Sequence, residues 1–178
     1  ENGQDPSLLD IIAIQMKTPQ PQRHQKENHL IDADYYWVKQ GAVSWRELQA
    51  AVEDPAGPLW LNGDSSYHGE NDRVSENSLD GLARSLYLVR PEHLRVVVAS
   101  EGGRFGPPRR RVRARFTLCG HRYCLGVTEP STESEFLAKN NGEYPVPDAL
   151  LCISLGEVFH GYAYKLAAAV ITPNRAGA

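Results

Sequence analysis

Arg111-Val112-Arg113-Ala114-Arg115-Phe116-Thr117-Leu118 is the stretch that decides the fold. Basic and apolar residues alternate along it, and successive side chains of a β-strand point to opposite faces. Val112, Ala114, Phe116 and Leu118 then share a face that can enter a core. Arg111, Arg113 and Arg115 stand in a row on the other face, in solvent. Such a row of guanidiniums suits phosphate or carboxylate ligands.

Working outward, His121–Val127 returns as the second arm of a hairpin turned at Cys119-Gly120. Leu94–Ala99 precedes the Arg strand, across a Gly/Pro/Arg-rich turn over 100–110. Leu86–Val89 is a short strand cut off before Pro91. Leu150–Leu155 and Tyr162–Ile171 are the last two strands. Thr132 with Glu135 is a capping-box pair and predicts a helix from Glu133 to Lys139. Five main strands with a helix before the last pair fit a small barrel of the oligonucleotide/oligosaccharide-binding (OB) type. An SH3-like barrel fits the same pattern.

The first half reads differently. Residues 8–16 predict a strand, with Pro19 and Pro21 after it, and Asp32 and Asp34 flank a short helical turn. Ser44 and Glu47 form a capping box opening a helix from Trp45 to Val52. Residues 59–80 form a long polar loop with apolar anchors, the pattern of a packed or functional loop. The interior-type strand at Leu8–Ile14 has no room ahead of it for partner strands. An upstream segment completing the first unit is therefore expected.

Net charge is −3 over 178 residues, which argues against a generic polyanion binder. The average hides a division: residues 1–80 hold fourteen acids and six bases, and residues 81–178 hold eight acids and thirteen bases. Nine arginines fall within 90–122, against Glu92 and Glu101. No apolar run is long enough to span a membrane as a helix, and no signal peptide is expected. Cys119, Cys124 and Cys152 read as reduced core thiols of a cytoplasmic protein. A Cys119–Cys124 pair across the hairpin is the alternative.

Several longer stretches resemble the bacterial dual OB-containing domain family. They are His24-Gln25-Lys26-Glu27-Asn28, Asp34-Tyr35-Tyr36-Trp37, Leu59–Gly63, Gly69–Val74, Arg110–Phe116, Leu151–Glu157 and Gly161–Leu166. The resemblance implies a mostly β chain with short helices: two small OB-like barrels packed together, the first incomplete. Residues 1–84 would be that incomplete unit with its helical and long-loop insertions. Residues 85–172 would be the second barrel, and 173–178 a loose tail. The family's members often stand beside nucleic-acid or defence components. They usually begin with a further pair of strands, carrying a W-x-R-P-V-S-like stretch that this chain lacks. No catalytic residue is established for the family, so none is carried over.

The expected ligand-binding residues are Arg111, Arg113 and Arg115 on the strand and Arg104, Arg109 and Arg110 in the adjoining loop, with Phe105 as a stacking platform for a base. Tyr67, His68 and Asn71 in the long loop, and Lys165 on the last strand, complete the set. Each has a structural reading beside it: the arginines paired with acids, Asn71 satisfying loop backbone, Phe105 tucked into the barrel end. His24, Glu27 and His29 lack metal-ligand spacing, and no cofactor or metal is expected.

The leading functional reading is a non-catalytic module binding single-stranded nucleic acid or a nucleotide-like ligand. A protein-interaction or structural domain, its acidic half complementing a basic one, is the alternative. An enzyme assembled from His68, Asp72 and Glu157 is the weakest, because no phosphate loop, metal cluster or nucleophile elbow is present.

Overall fold

Alternation in the second half of the chain builds an eight-stranded sheet. The computed structural model describes residues 5–102 and 106–176. In chain order its elements are β1 (Asp10–Ala13), β2 (Met16–Pro19), β3 (His29–Ile31), β4 (Val38–Ala42), α1 (Trp45–Ala50), β5 (Arg73–Ser75), β6 (Leu86–Val89), β7 (Glu92–Glu101), β8 (Arg109–Leu118), β9 (His121–Val127), α2 (Pro130–Leu137), β10 (Gly142–Pro145), β11 (Leu150–Phe159) and β12 (Tyr162–Ile171).

The ladder runs β10-β7-β8-β9-β12-β11-β6, with β5 added on β12. All pairs are antiparallel except β9 with β12. β6 and β7 are consecutive around Arg90-Pro91, where Pro91 interrupts pairing. Read as one bent strand, they pair with β11 on one side and β8 on the other. The order first-second-third-fifth-fourth, with a helix between third and fourth, is that of a partly open OB unit. The hydrogen-bonded path ends at β10 and β6 without closing on itself, and the chain through Arg90-Pro91 links β6 to β7, the strand next to β10.

The apolar face of β8 lies inside as its alternation requires: Val112, Ala114, Phe116 and Leu118 are all buried. Phe116 stands opposite Tyr123 of β9, and their rings stack 5.2 Å apart. Val96, Val98, Leu125, Leu151, Ile153 and Leu155 fill the same interior. Phe136 of α2 joins this core and meets Tyr144 of β10 edge-on at 5.8 Å. Burial of a side chain of that size contributes roughly 1.5–3 kcal/mol.

The 59–80 loop is packed, as its apolar anchors suggest. Leu59, Trp60, Val74 and Leu79 belong to the main core. Leu59 N–H donates to the Tyr123 hydroxyl at 2.9 Å, and Trp60 Nε1 to the Arg84 carbonyl at 2.8 Å. Its second half then pairs along β12 as β5. This segment lies as a strap across the sheet.

Residues before the strap form two two-stranded ladders, β1–β4 and β2–β3. Ladders this small are marginal alone. They are tied to the sheet by a second apolar cluster, where Leu48 of α1, Leu9 and Val43 meet Leu150, Ala169 and Ile171. His24 is buried, its Nε2 donating to the carbonyls of Leu155 and Gly156 at 3.3 and 3.0 Å. Glu27 accepts from Ser85 N–H at 3.0 Å.

The predicted strand over 8–16 is therefore two short strands, and Asp32–Asp34 form a turn without a helix. The α1 capping box is present as read: Glu47 N–H donates to Ser44 Oγ, and the Glu47 carboxylate accepts from Ser44 N–H. α2 starts earlier than its Thr132/Glu135 pair suggests. Pro130 takes its first turn, and Glu129 is the cap, accepting from the N–H groups of Ser131 and Thr132. Burial opposes charge on Glu129, but hydrogen bonds from the Ser131 and Thr132 hydroxyls, from Arg175 and from the Thr132 N–H overcome it and hold the carboxyl pKa down to about 2. Pro173–Ala176, expected to be loose, form a 3-10 turn in which Arg175 reaches Glu129 at 2.7 Å. Cys124 is buried and Cys152 half-buried, but Cys119 is exposed at the hairpin turn, and all three are free thiols. Among the described residues no helix is long and apolar enough to cross a membrane.

Candidate ligand-binding groove

The outer face of β8 carries Arg111, Arg113 and Arg115, as alternation dictates, but their surroundings differ. Arg115 is bonded to Glu143 of β10. Arg113 is largely buried and doubly held by Glu101: Nε to Oε1 at 2.5 Å and Nη2 to Oε2 at 2.9 Å. Asp72 of the strap adds a second carboxylate 3.9 Å away. Burial opposes charge on both Arg113 and Glu101. Their mutual hydrogen bonds outweigh it, raising the guanidinium's pKa and lowering the carboxyl's. The expected row of three open guanidiniums is thus reduced at its middle and far members.

Arg110 points elsewhere and closes the end of α2. It donates to the Leu137 carbonyl at 2.7 Å, to the Lys139 carbonyl, and to Asn141 Oδ1 at 2.9 Å. A cation on the last carbonyls of a helix is a structural role. Arg109 and Arg111 are exposed, and no ion pair involves either among the described residues. Arg104 and Phe105 lie outside the described residues.

The strap supplies the opposite wall. Asp72, buried, accepts from Ser66 N–H at 2.7 Å and from the Ser66 hydroxyl. Gly69 lies so close to this carboxylate that a Cβ would sit 1.8 Å from Asp72 Oδ2. Between these anchors the tip projects Tyr67, 92% exposed, with His68 edge-on to it at 4.7 Å. Asn71 is consumed by the strap itself. At φ 49° its Oδ1 accepts from Gly63 N–H at 3.0 Å and its Nδ2 donates to the Arg122 carbonyl at 2.9 Å.

Lys165, expected at a ligand, is instead buried on the core side of β12 beside Ala163 and Ala167. Its ammonium donates to the Leu61 carbonyl at 2.7 Å and to Asn62 Oδ1 at 2.8 Å. Asn62 in turn donates to the Tyr123 hydroxyl at 3.1 Å. Burial drives the Lys165 pKa down to about 7, against the opposing pull of Asp72 and Asp64. This lysine fastens the strap from beneath, its ammonium engaged by Leu61 and Asn62.

What remains open is a cleft of about 630 Å³ between the strap tip and the β7–β8 turn. Tyr67, His68 and Pro107 give it a mainly apolar lining, and Arg109 and Arg111 supply charge. A second cleft of about 360 Å³ continues past Arg111 and Glu101 between the strap and the start of α2. Both volumes are typical of small-ligand sites. Aromatic rings beside unpaired guanidiniums can stack a planar group and hold an anion next to it. In OB units the loop between the first two strands is a usual ligand contact, and here it lies between β7 and β8. Sequence reasoning placed Tyr67, His68, Arg109 and Arg111 in one set. It missed Glu101 and Asp72 as the groups that remove Arg113, and Tyr164, Gly126 and Glu133 in the second cleft. Glu101 alone carried a signal, since hairpin register sets it opposite Arg109.

Among the described residues no group of three or more His, Cys, Asp or Glu side chains is arranged to hold a metal. A family model described as the dual OB-containing domain matches residues 1–170. The chain belongs to that family. No curated protein and no solved structure matches it.

Proposed function

We propose that this member of the dual OB-containing domain family is a binding module for single-stranded nucleic acid or a nucleotide-like ligand, working through the cleft between Tyr67 and Arg111. The observation that carries the reading is the meeting of an exposed ring on the strap with two unpaired guanidiniums on β8 across about 630 Å³. The ring offers a stacking surface for a base, and Arg109 and Arg111 take the phosphate. Arg113 and Arg115, already neutralised, hold the fold.

Titration of short labelled oligo-dT and oligo-U at low salt tests this. Arg109→Ala with Arg111→Glu is expected to weaken binding about tenfold or more, as loss of charge-assisted phosphate contacts does. With two free guanidiniums, log affinity falls against log salt with a slope of about −1.4, at roughly −0.7 per single-strand phosphate contact. No binding of either oligomer or of mononucleotides at low salt overturns the proposal.

A second reading rests on the first half of the chain. Tyr35, Tyr36, Trp37 and Val38 are 61, 85, 44 and 42% exposed, close together beside β4. Exposed aromatics in a run favour a protein partner at that face. Recovery of a partner that is lost on Tyr36→Ser with Trp37→Ser, but kept on Arg111→Glu, supports this reading for that region.

A further inference from the structure

We propose that the groove takes a dinucleotide step of a single strand, with one nucleoside in each cleft and the linking phosphodiester at Arg111. The inference rests on the nucleotide-binding reading above and names its substrate class. Its geometric basis is that the two clefts share Arg111 and Glu101 as a common wall. They differ in chemistry. The first is mainly apolar and cationic at its rim. The second is lined by Thr128 and Tyr164, by Ser66 and Arg113 engaged with Asp72 and Glu101, by the buried Lys165, and by Glu133, which no ion pair involves among the described residues.

Charge along the groove therefore runs from the open Arg111 at the junction, past the mutually paired Asp72, Glu101 and Arg113, to the Glu133 carboxylate in the first turn of α2. A singly charged phosphodiester at the junction meets Arg111. A terminal phosphate in the second cleft would face Glu133, and like charges at close range in a partly desolvated site are disfavoured. A nucleoside without a further phosphate escapes that repulsion, and its amino and hydroxyl groups can donate to the Glu133 carboxylate.

Two backbone features keep the second cleft open and set its direction. Gly126 stands opposite Arg113 on the outer face. A Cβ there would touch only Leu166 Cδ2, at 3.9 Å, so the position tolerates side chains that would fill the space. On the other side the strap closes the sheet: Glu70 and Cys124 exchange backbone hydrogen bonds at 3.3 and 3.0 Å. A strand leaving the first cleft is thereby turned away from the middle of β9 and toward α2.

The test is calorimetric titration of the full chain with adenosine monophosphate, with the dinucleoside monophosphate adenylyl-adenosine, and with the same dinucleotide bearing a 5′ or a 3′ terminal phosphate. Adenylyl-adenosine is expected to bind about tenfold more tightly than the mononucleotide, within the range that one further enclosed base adds. At least one terminally phosphorylated form is expected to lose that gain. Gly126→Leu should bring the dinucleotide to the mononucleotide's affinity and leave the mononucleotide unchanged. Tyr164→Ala should shrink the difference in a protein whose second cleft is not filled. Equal binding of mono- and dinucleotide, or a Gly126→Leu loss common to both, overturns the dinucleotide assignment while the function stands. Failure of all the probes and of the longer oligomers overturns both.

Discussion

Two regions of one sheet hold cations that sequence alone makes equivalent. Beneath the strap, Arg113 and Lys165 are buried and bound to carboxylates, carbonyls and an amide. At the rim beside the β7–β8 turn, Arg109 and Arg111 stand open. Arg111 and Arg113 share a face of one strand, two residues apart. What separates them is the reach of Asp72 and Glu101. The comparison teaches that a row of like charges on a strand is divided by what folds over it: the covered members are tied into the fold, and the open ones stay in solvent, where the proposed ligand would meet them.

The covered region can be broken first by pH. The Lys165 ammonium has a folded pKa of about 7 against 10.5 when unfolded. Between those values the unfolded chain binds more protons, so stability rises with pH from about 7 to about 10.5. The ceiling on this rise is about 5 kcal/mol, at 1.36 kcal/mol per unit. Denaturant unfolding of wild type and Lys165→Met across that range is the measurement, and the rise should be absent in the variant. Next in size is Arg113→Ala, which leaves Glu101 and Asp72 beside each other without their cation. It is expected to cost about 3 kcal/mol, as removal of one partner of a buried ion pair does. Arg115→Ala at the half-exposed Glu143 pair should cost under about 1 kcal/mol. Smallest is Arg111→Glu, which should shift the unfolding midpoint by less than about 0.5 kcal/mol while weakening oligonucleotide binding. A large stability loss there would erase the contrast between rim and floor.

The second half of the fold was legible because it obeys short-range rules. The alternation of β8 and the Cys119-Gly120 turn each fix a strand without knowledge of the rest. The α2 start was misread: the Thr132/Glu135 pair drew the cap three residues too late, whereas Pro130 takes the first turn and Glu129 before it is the cap. β10 was not legible. Gly142-Glu143-Tyr144-Pro145 has no strand pattern, and it pairs because β7 offers it an edge. The first half resisted for the same reason. Its ladders are short and two-stranded, and they are placed by contacts with Leu150 and Ile171 more than a hundred residues away. At the groove, the residue types were readable and their pairing was not. The Asp72–Arg113 and Glu101–Arg113 contacts depend on how the strap crosses the sheet.

The bend at Arg90-Pro91 gives this architecture a mechanical consequence. Two residues of covalent chain link β6, at one end of the hydrogen-bonded path, to β7, the strand next to its other end. A single nick of that peptide bond would leave every pairing of β6 with β11 and of β7 with β8 in place. It would still remove the hinge pin on which the rolled sheet turns, and the molecule would be free to unroll from that seam.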